Sequence, residues 1–223
     1  MKARARGDRV RSLGGDVVGL DRWEWDPVSD GLAPFICNSP LWRLADIEGP
    51  CLALLDNTAL DEDGGKVALV GVADWTDVSI EAQMRFLKGR GPDDPRRGWF
   101  GFALRAMDVH NYELFWLMPQ HTGEVGAVAY VPVAHGIVPW WTEGYSKQTF
   151  GRAVIPANEW FSVRAEVVGR TARLTVNGEP ALERTLSYYL NRGKVGFYVG
   201  TLTDTAFRRV RVRALDKELP LGD

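Results

Sequence analysis

The sequence predicts an all-β protein folded as an antiparallel two-sheet jelly-roll sandwich. Apolar side chains recur with a period of two along most of the chain, and 24 glycines and 12 prolines punctuate the pattern. No stretch of ten or more residues carries an apolar stripe with helical spacing. Because one sheet cannot cover its own apolar face, a chain of 223 residues is expected to pack two sheets together.

Individual strands follow from the alternation. Segments 79–86 and 160–167 alternate strictly between apolar and polar side chains, so each has one apolar face. The pair Asn177-Gly178 suits the positive φ angles of a type I′ turn, which predicts a hairpin into Pro180–Leu186. Only Leu182–Leu190 is compatible with a helical turn. Further strands are expected at Lys66–Val72, Trp99–Met107, Asn111–Met118, Gly126–Val133, Thr149–Ile155, Lys194–Val199 and Phe207–Ala214.

The charge and the length of the sequence limit the domain organisation and the kinds of partner that we expect. We expect one domain over residues 16–223, preceded by a basic tail over residues 1–15. The tail lacks the apolar segment of a secretory signal, so we expect a cytoplasmic protein. The chain has 27 Lys+Arg against 29 Asp+Glu, a net charge of −2, which argues against nucleic acid or an anionic membrane as the main partner. A small molecule or a glycoside is the expected ligand.

The cysteines and histidines predict neither a disulfide nor a metal site. Cys37 and Cys51 are expected to be reduced, since a chain of this size needs no cross-link. The three histidines, His110, His121 and His135, lie too far apart in sequence for a local zinc motif. We therefore expect no metal and no cofactor.

The order of several segments resembles a known superfamily. The segments are Ile80–Phe86, Gly101–Arg105, Asn111–Glu113, Trp160–Gly169, Asn177-Gly178 and Gly193–Phe197. Their order is similar to that of the concanavalin A-like lectin/glucanase superfamily, and more narrowly of its laminin-G-like and 3-keto-disaccharide hydrolase-like branches. The resemblance covers residues 50–215 and implies a jelly roll with one concave sheet that carries the ligand groove.

Alternation and the resemblance together suggest which residues line that groove. Phe100, Phe102 and Leu104 are assigned to the core, which leaves Trp99, Gly101, Ala103 and Arg105 on the groove face. The strand 111–118 is apolar on both faces. The resemblance implies that its row Tyr112, Trp116 and Met118 faces the groove, with Ala129 on the next strand and Trp140, Trp141 and Tyr145 on a nearby loop. The alternative is that Trp116 and Met118 belong to the core.

Candidate catalytic residues are Arg105, Asp108, His110, His135 and Glu143. Arg105 would anchor a polar group of the ligand. Asp108 and His110 share a turn and would form an oriented base, the alternative being a plain polar turn. His135 and Glu143 lie on the segment that carries the paired tryptophans. The paired carboxylates of retaining glucanases are absent, so glucanase-type hydrolysis is disfavoured.

A last cluster of charge lies near the C-terminus. Four arginines alternate there with Val210 and Val212, a pattern typical of a half-exposed strand. They are Arg208, Arg209, Arg211 and Arg213. The alternative is contact with an anionic partner.

The leading hypothesis is an enzyme or binder for a small, partly apolar metabolite, with lyase, isomerase or cyclase chemistry if it is catalytic. Met118 and Ala129 favour it, because the resembling family has polar residues at these two positions. The alternatives are a non-catalytic, carbohydrate-binding lectin-like module and a 3-keto-glycoside hydrolase or lyase. Groove polarity discriminates between them. Three or more carboxylates or amides directed into the groove favour a sugar, whereas a closed apolar pocket favours the metabolite.

Overall fold

The computed structural model describes residues 20–58, 65–89, 98–119, 125–138, 150–186 and 190–215. Over these residues the chain forms fifteen strands and one short helix. In chain order they are β1 (Arg22–Glu24), α1 (Pro27–Asp30), β2 (Phe35–Cys37), β3 (Trp42–Asp46), β4 (Pro50–Leu54), β5 (Lys66–Val70), β6 (Val78–Lys88), β7 (Phe100–Asp108), β8 (Asn111–Met118), β9 (Gly126–Val133), β10 (Phe150–Ala153), β11 (Phe161–Val168), β12 (Thr171–Val176), β13 (Glu179–Thr185), β14 (Lys194–Val199) and β15 (Asp204–Ala214).

The strands form two antiparallel sheets that pack face to face. Sheet 1 has the order β13-β12-β11-β6-β15-β4-β3, with β1 also paired to β15. Sheet 2 has the order β10-β9-β8-β7-β14-β5-β2. The predicted two-sheet, all-β sandwich is confirmed.

The inner faces of the two sheets supply the core, and the period-two pattern identifies them. In β6 and β11 every second residue is buried, as the alternation predicts. Phe100, Phe102 and Leu104 lie in the same core. The rings of Phe197 on sheet 2 and Phe207 on sheet 1 stack with centroids 4.2 Å apart, which places an aromatic contact between the sheets.

Local sequence patterns predict some of the strands and turns correctly and others not. Asn177 and Gly178 have φ angles of 52° and 85°, as the predicted type I′ hairpin requires. The helical turn expected within Leu182–Leu190 is wrong over Leu182–Thr185. These residues continue β13, where Leu182 pairs with Leu174 and both are buried. The sequence analysis assigned no strand before residue 52, yet β1 to β4 lie there.

The short helix α1 has a clear local cause. The Asp26 side chain accepts a hydrogen bond from the Val28 amide at 3.0 Å, Pro27 fills the first turn, and Gly31 follows with φ 57°. Within the described part of the chain, no helix has the length and apolar character needed to cross a membrane. The predicted tail over residues 1–15 lies outside the described residues.

Candidate functional site

The predicted groove face of sheet 2 is closed. Tyr112, Trp116 and Ala129 lie on the side of the sheet turned away from the sandwich core, yet each exposes 1% or less of its surface. They form a second apolar cluster, against which Trp99 and Met118 pack half-buried. A ligand-binding role for this row stays a prediction, but the row is packed like a core and does not form an open groove.

Arg105 does not lie where alternation places it. Its φ angle is 45°, and the pairing of β7 with β8 shifts register between Leu104 and Asp108, so a bulge interrupts the alternation. The side chain, 3% exposed, donates to the carbonyls of Leu190 and Thr76 at 2.9 and 3.0 Å. The predicted position of Arg105 on the groove face is therefore wrong, and its role as a ligand anchor stays a prediction.

The surroundings of Arg105 indicate a structural role. Its Nη2 lies 3.4 Å from Oδ1 of buried Asp77, whose Oδ1 also accepts from the Gly169 amide at 2.9 Å. Burial lowers the pKa of Arg105, and the charges of Asp77 and Glu113 oppose that shift. The guanidinium is held among protein acceptors.

Asp108, His110 and His135 come together at the turns that end the β7–β8 and β9 strands. Asp108 accepts from the backbone amide of His110 at 2.8 Å and from the Asn111 side chain at 2.9 Å. Partial burial raises the pKa of Asp108, but these hydrogen bonds outweigh it and hold the value below the ordinary one. His135 donates its backbone amide to Asn111 Oδ1 at 3.1 Å. These contacts are those of a polar turn, because Asp108 binds the main chain of His110.

Four predicted residues, Trp140, Trp141, Glu143 and Tyr145, lie outside the described residues. Their roles stay predictions. Cys37 is exposed and Cys51 is buried, and the two are not bonded to each other. Among the described residues no cluster of three or more His, Cys, Asp or Glu side chains is placed to hold a metal ion.

An open groove of about 560 Å³ lies at a break in sheet 1, and three of the arginines near the C-terminus line it, for which the sequence gives an anionic partner as the alternative. On one side of β15, residues 205–207 pair with β4 and residues 211–213 pair with β1. Residues 208–210 belong to neither of these two ladders in the described part of the chain, and Val210 accepts a hydrogen bond from the Trp25 amide at 3.1 Å. We call this cavity the β15 groove; its lining residues are Glu24, Trp25, Asp26, Pro27, Glu48, Gly49, Pro50, Arg208, Arg209 and Arg211.

A bulge in β15 sets the direction of the arginines. The register with β6 shifts between Arg208 and Arg211, and Arg209 has a φ angle of 53°. Val210 stays buried in the core while Arg209 is exposed. The bulge thereby directs two consecutive arginines, Arg208 and Arg209, to the groove without exposing the apolar residue that follows.

Arg208 is held by three contacts. Its Nε donates to Gln83 Oε1 at 2.9 Å, and its Nη1 donates to the carbonyl of Glu48 at 2.8 Å. The guanidinium carbon lies 4.1 Å from the centroid of the Trp160 ring. Trp160 packs against a small apolar cluster of Cys51, Ala53 and Ala206. The arginine is thus fixed before any ligand arrives.

Each carboxylate of the groove has a partner within the protein. Glu24 accepts from Arg211 Nε at 2.7 Å, and this hydrogen bond lowers the pKa of Glu24. The hydrogen bond from the Val28 amide likewise lowers the pKa of Asp26. Glu48 Oε1 lies 2.7 Å from Arg85 Nη1. The groove therefore combines fixed charges of both signs with the apolar surfaces of Trp25, Pro27 and Pro50.

Comparison with known proteins defines the class of the fold. No protein-family model matches the chain, and no curated protein matches it significantly. The solved structure of carbohydrate binding module CBM66 from Bacillus subtilis is similar at 16% identity and a TM-score of 0.58, covering 81% of this chain and 96% of that chain. A Bacillus subtilis protein of unknown function with a galectin-like fold is similar at 12% identity and a TM-score of 0.55, covering 87% and 94%.

A sialidase is also similar, at 10% identity and a TM-score of 0.59; the match covers 88% of this chain and 19% of that chain. At these identities the likeness establishes the fold alone. This protein is an antiparallel two-sheet β-sandwich with the fold of these structures.

Proposed function

We propose that this protein is a carbohydrate-binding module and that its glycan lies in the β15 groove. The observation that carries the proposal is the lining: three carboxylates and three arginines around apolar surfaces from Trp25, Pro27 and Pro50. A sugar presents hydroxyl groups that need donors and acceptors, and C–H faces that pack on apolar surface. Three groove carboxylates meet the polarity criterion that favours a sugar over an apolar metabolite.

The fixed position of the polar groups supports binding. Arg208 is held by Gln83, by the Glu48 carbonyl and by the Trp160 ring. Groups already ordered in the free protein lose little conformational entropy when a ligand binds. The fold likeness to a carbohydrate binding module is in line with this proposal.

Binding fits the groove better than glycoside hydrolysis does. Hydrolysis by paired carboxyl groups needs one general acid whose pKa is raised, so that it still carries a proton at neutral pH. The pKa values of Glu24 and Asp26 move in the opposite direction because both accept hydrogen bonds. The metabolite hypothesis has less support, because Tyr112, Trp116 and Ala129, which were expected to bind the metabolite, are buried.

The test is a glycan array screened with the full chain, followed by isothermal titration calorimetry on the best ligands. We expect a saturable glycan ligand whose affinity falls at least tenfold in Arg208→Ala, the loss of one charged hydrogen-bonding group. Arg213→Ala is the matched control, because Arg213 is exposed on the same strand but does not line the groove.

Two results would overturn the proposal. One is the absence of binding to any glycan on the array by a protein whose circular dichroism shows it folded. The other is glycan binding that Arg208→Ala and Arg213→Ala weaken equally, since the β15 groove would then not be the site.

A further inference from the structure

We infer that the glycan bound in the β15 groove is acidic, and that Arg208 and Arg209 receive a carboxylate or sulfate group on it. This inference rests on the proposed function and names the class of sugar. Its basis is the set of charged residues that line the groove, some of which are paired with one another and some of which are not.

Of the three arginines that line the groove, Arg211 is paired with a carboxylate, and Arg208 and Arg209 are not. Arg211 binds Glu24 and Arg85 binds Glu48, each at 2.7 Å. Arg208 donates only to neutral acceptors, the Gln83 amide oxygen and the Glu48 carbonyl. Arg209 is exposed and makes no hydrogen bond or ion pair with the described part of the chain.

The remaining carboxylate of the groove does not balance these charges. Asp26 caps α1, where its oxygens accept from the Val28 amide and the Ser29 hydroxyl at 3.0 Å each. Asp26 keeps its negative charge beside these neutral donors, so outside the Arg211–Glu24 and Arg85–Glu48 pairs the groove carries positive charges on Arg208 and Arg209 and one negative charge on Asp26. The two positive charges are adjacent in the chain and face a space that a ligand can enter.

The fold holds these charges together against their repulsion. Burial lowers the pKa of Arg208, the neighbouring charge of Arg209 lowers it further, and the charge of Glu48 opposes both effects without cancelling them. Arg209 also has a left-handed φ angle of 53°, a conformation that a non-glycine residue adopts at a cost. An anion bound between the two guanidinium groups would relieve the repulsion, and the planar N–H fork of arginine matches the oxygens of a carboxylate or a sulfate.

The experiment compares glycans that differ only in charge. Affinities are measured by titration calorimetry for polygalacturonate and hyaluronan, and for the carboxyl-reduced form of each. Chondroitin against chondroitin sulfate distinguishes a carboxylate from a sulfate ester as the recognised group. The proteins are wild type, Arg209→Gln, Arg209→Lys and, as the matched control, Arg213→Gln.

We expect at least one acidic glycan to bind about tenfold more tightly than its neutral counterpart, as one charge-assisted hydrogen bond allows. Arg209→Gln is expected to remove most of this preference, so that the charged and the neutral form of a glycan bind with similar affinity. Arg209→Lys retains part of the preference, and Arg213→Gln retains all of it.

Equal affinity for charged and neutral forms would overturn the inference and leave carbohydrate binding intact. Equal losses in Arg209→Gln and Arg213→Gln would also overturn it, because the effect would then come from net charge. If the folded protein binds no glycan, charged or neutral, the proposed function fails and the inference fails with it.

Discussion

The guanidinium carbon of Arg208 lies 4.1 Å from the centroid of the Trp160 ring. Arg208 belongs to β15 and Trp160 immediately precedes β11, and β6 lies between these strands in sheet 1. The contact therefore spans the middle strand of the sheet, and it fixes an arginine that lines the β15 groove. The same contact therefore stabilises sheet 1 and fixes a residue of the proposed binding site.

A double-mutant cycle measures how much the pair contributes to the fold. We expect Trp160→Leu and Arg208→Met to show a coupling free energy of about 0.5–1 kcal/mol, the range for a cation–π contact at a partly exposed site. Urea unfolding of the wild type, the two single variants and the double variant gives the value. Additive losses, with coupling near zero, would contradict a direct interaction.

The second prediction concerns how much the buried side chain of Arg105 contributes to stability. Arg105→Ala leaves the Asp77 carboxylate buried without its cation, which we expect to lower the free energy of unfolding by about 3–5 kcal/mol. Glycan affinity per folded molecule should not change, because Arg105 does not line the β15 groove.

Thermal unfolding and titration calorimetry of Arg105→Ala check the two halves of this prediction separately. Arg173→Ala is the control, since Arg173 pairs with Glu183 on the exposed surface and such pairs contribute less than about 1 kcal/mol. A stable Arg105→Ala variant with lost glycan binding would restore the sequence-based assignment of Arg105 to a ligand site.

Arg105 is also a position at which prediction from the alternating pattern fails. Alternation identified the buried faces of β6 and β11 because these strands are regular along the predicted segments. It failed at Arg105 because one bulge with a positive φ angle reverses the faces that follow, and no residue type marks that bulge. Arg209 is a second non-glycine residue at a bulge with a positive φ angle, and the sequence indicated only a half-exposed strand there.

Local sequence patterns could not predict the state of either candidate surface, the outer face of sheet 2 or the β15 groove, and the reasons differ. The family resemblance, and not alternation, places Trp116 on the outer side of sheet 2, and neither tells whether that side is covered. The β15 groove joins residues near positions 25, 49 and 209, which only the sheet order brings together. The hairpin at Asn177-Gly178, in contrast, needs only two adjacent residues and was predictable.

That hairpin gives a third prediction. A Cβ atom added at Gly178 would meet no atom within 4 Å, so Gly178→Ala tests the φ angle of 85° alone. We expect the substitution to lower the free energy of unfolding by about 1 kcal/mol, because alanine disfavours this region of φ. Urea unfolding measures it, with Glu179→Ala, exposed in the same hairpin, as the control. An unchanged stability would mean that the turn rearranges at little cost.

The ion pair that attaches β1 to β15 gives a pH-dependent prediction. The hydrogen bond from Arg211 holds the pKa of Glu24 below its ordinary value of 4.5. A carboxyl group with a lowered pKa stabilises the fold above its unfolded pKa, and this contribution is lost as the pH falls through the folded pKa. Because both side chains are 48% exposed, solvent screens the pair, and we expect it to contribute less than about 1 kcal/mol.

Glu24→Gln mimics the protonated carboxyl group, so it separates this contribution from the rest of the acid transition. We expect the variant to be less stable than the wild type at pH 7, and the difference to vanish as the pH falls below 4.5, where Glu24 takes up its proton. Urea unfolding at a series of pH values gives the difference, and Glu179→Gln, exposed in the β12–β13 hairpin, is the control. A difference that persists unchanged to about pH 2, below the range in which carboxyl groups ordinarily titrate, would assign the effect to the shape of the glutamate and not to its charge.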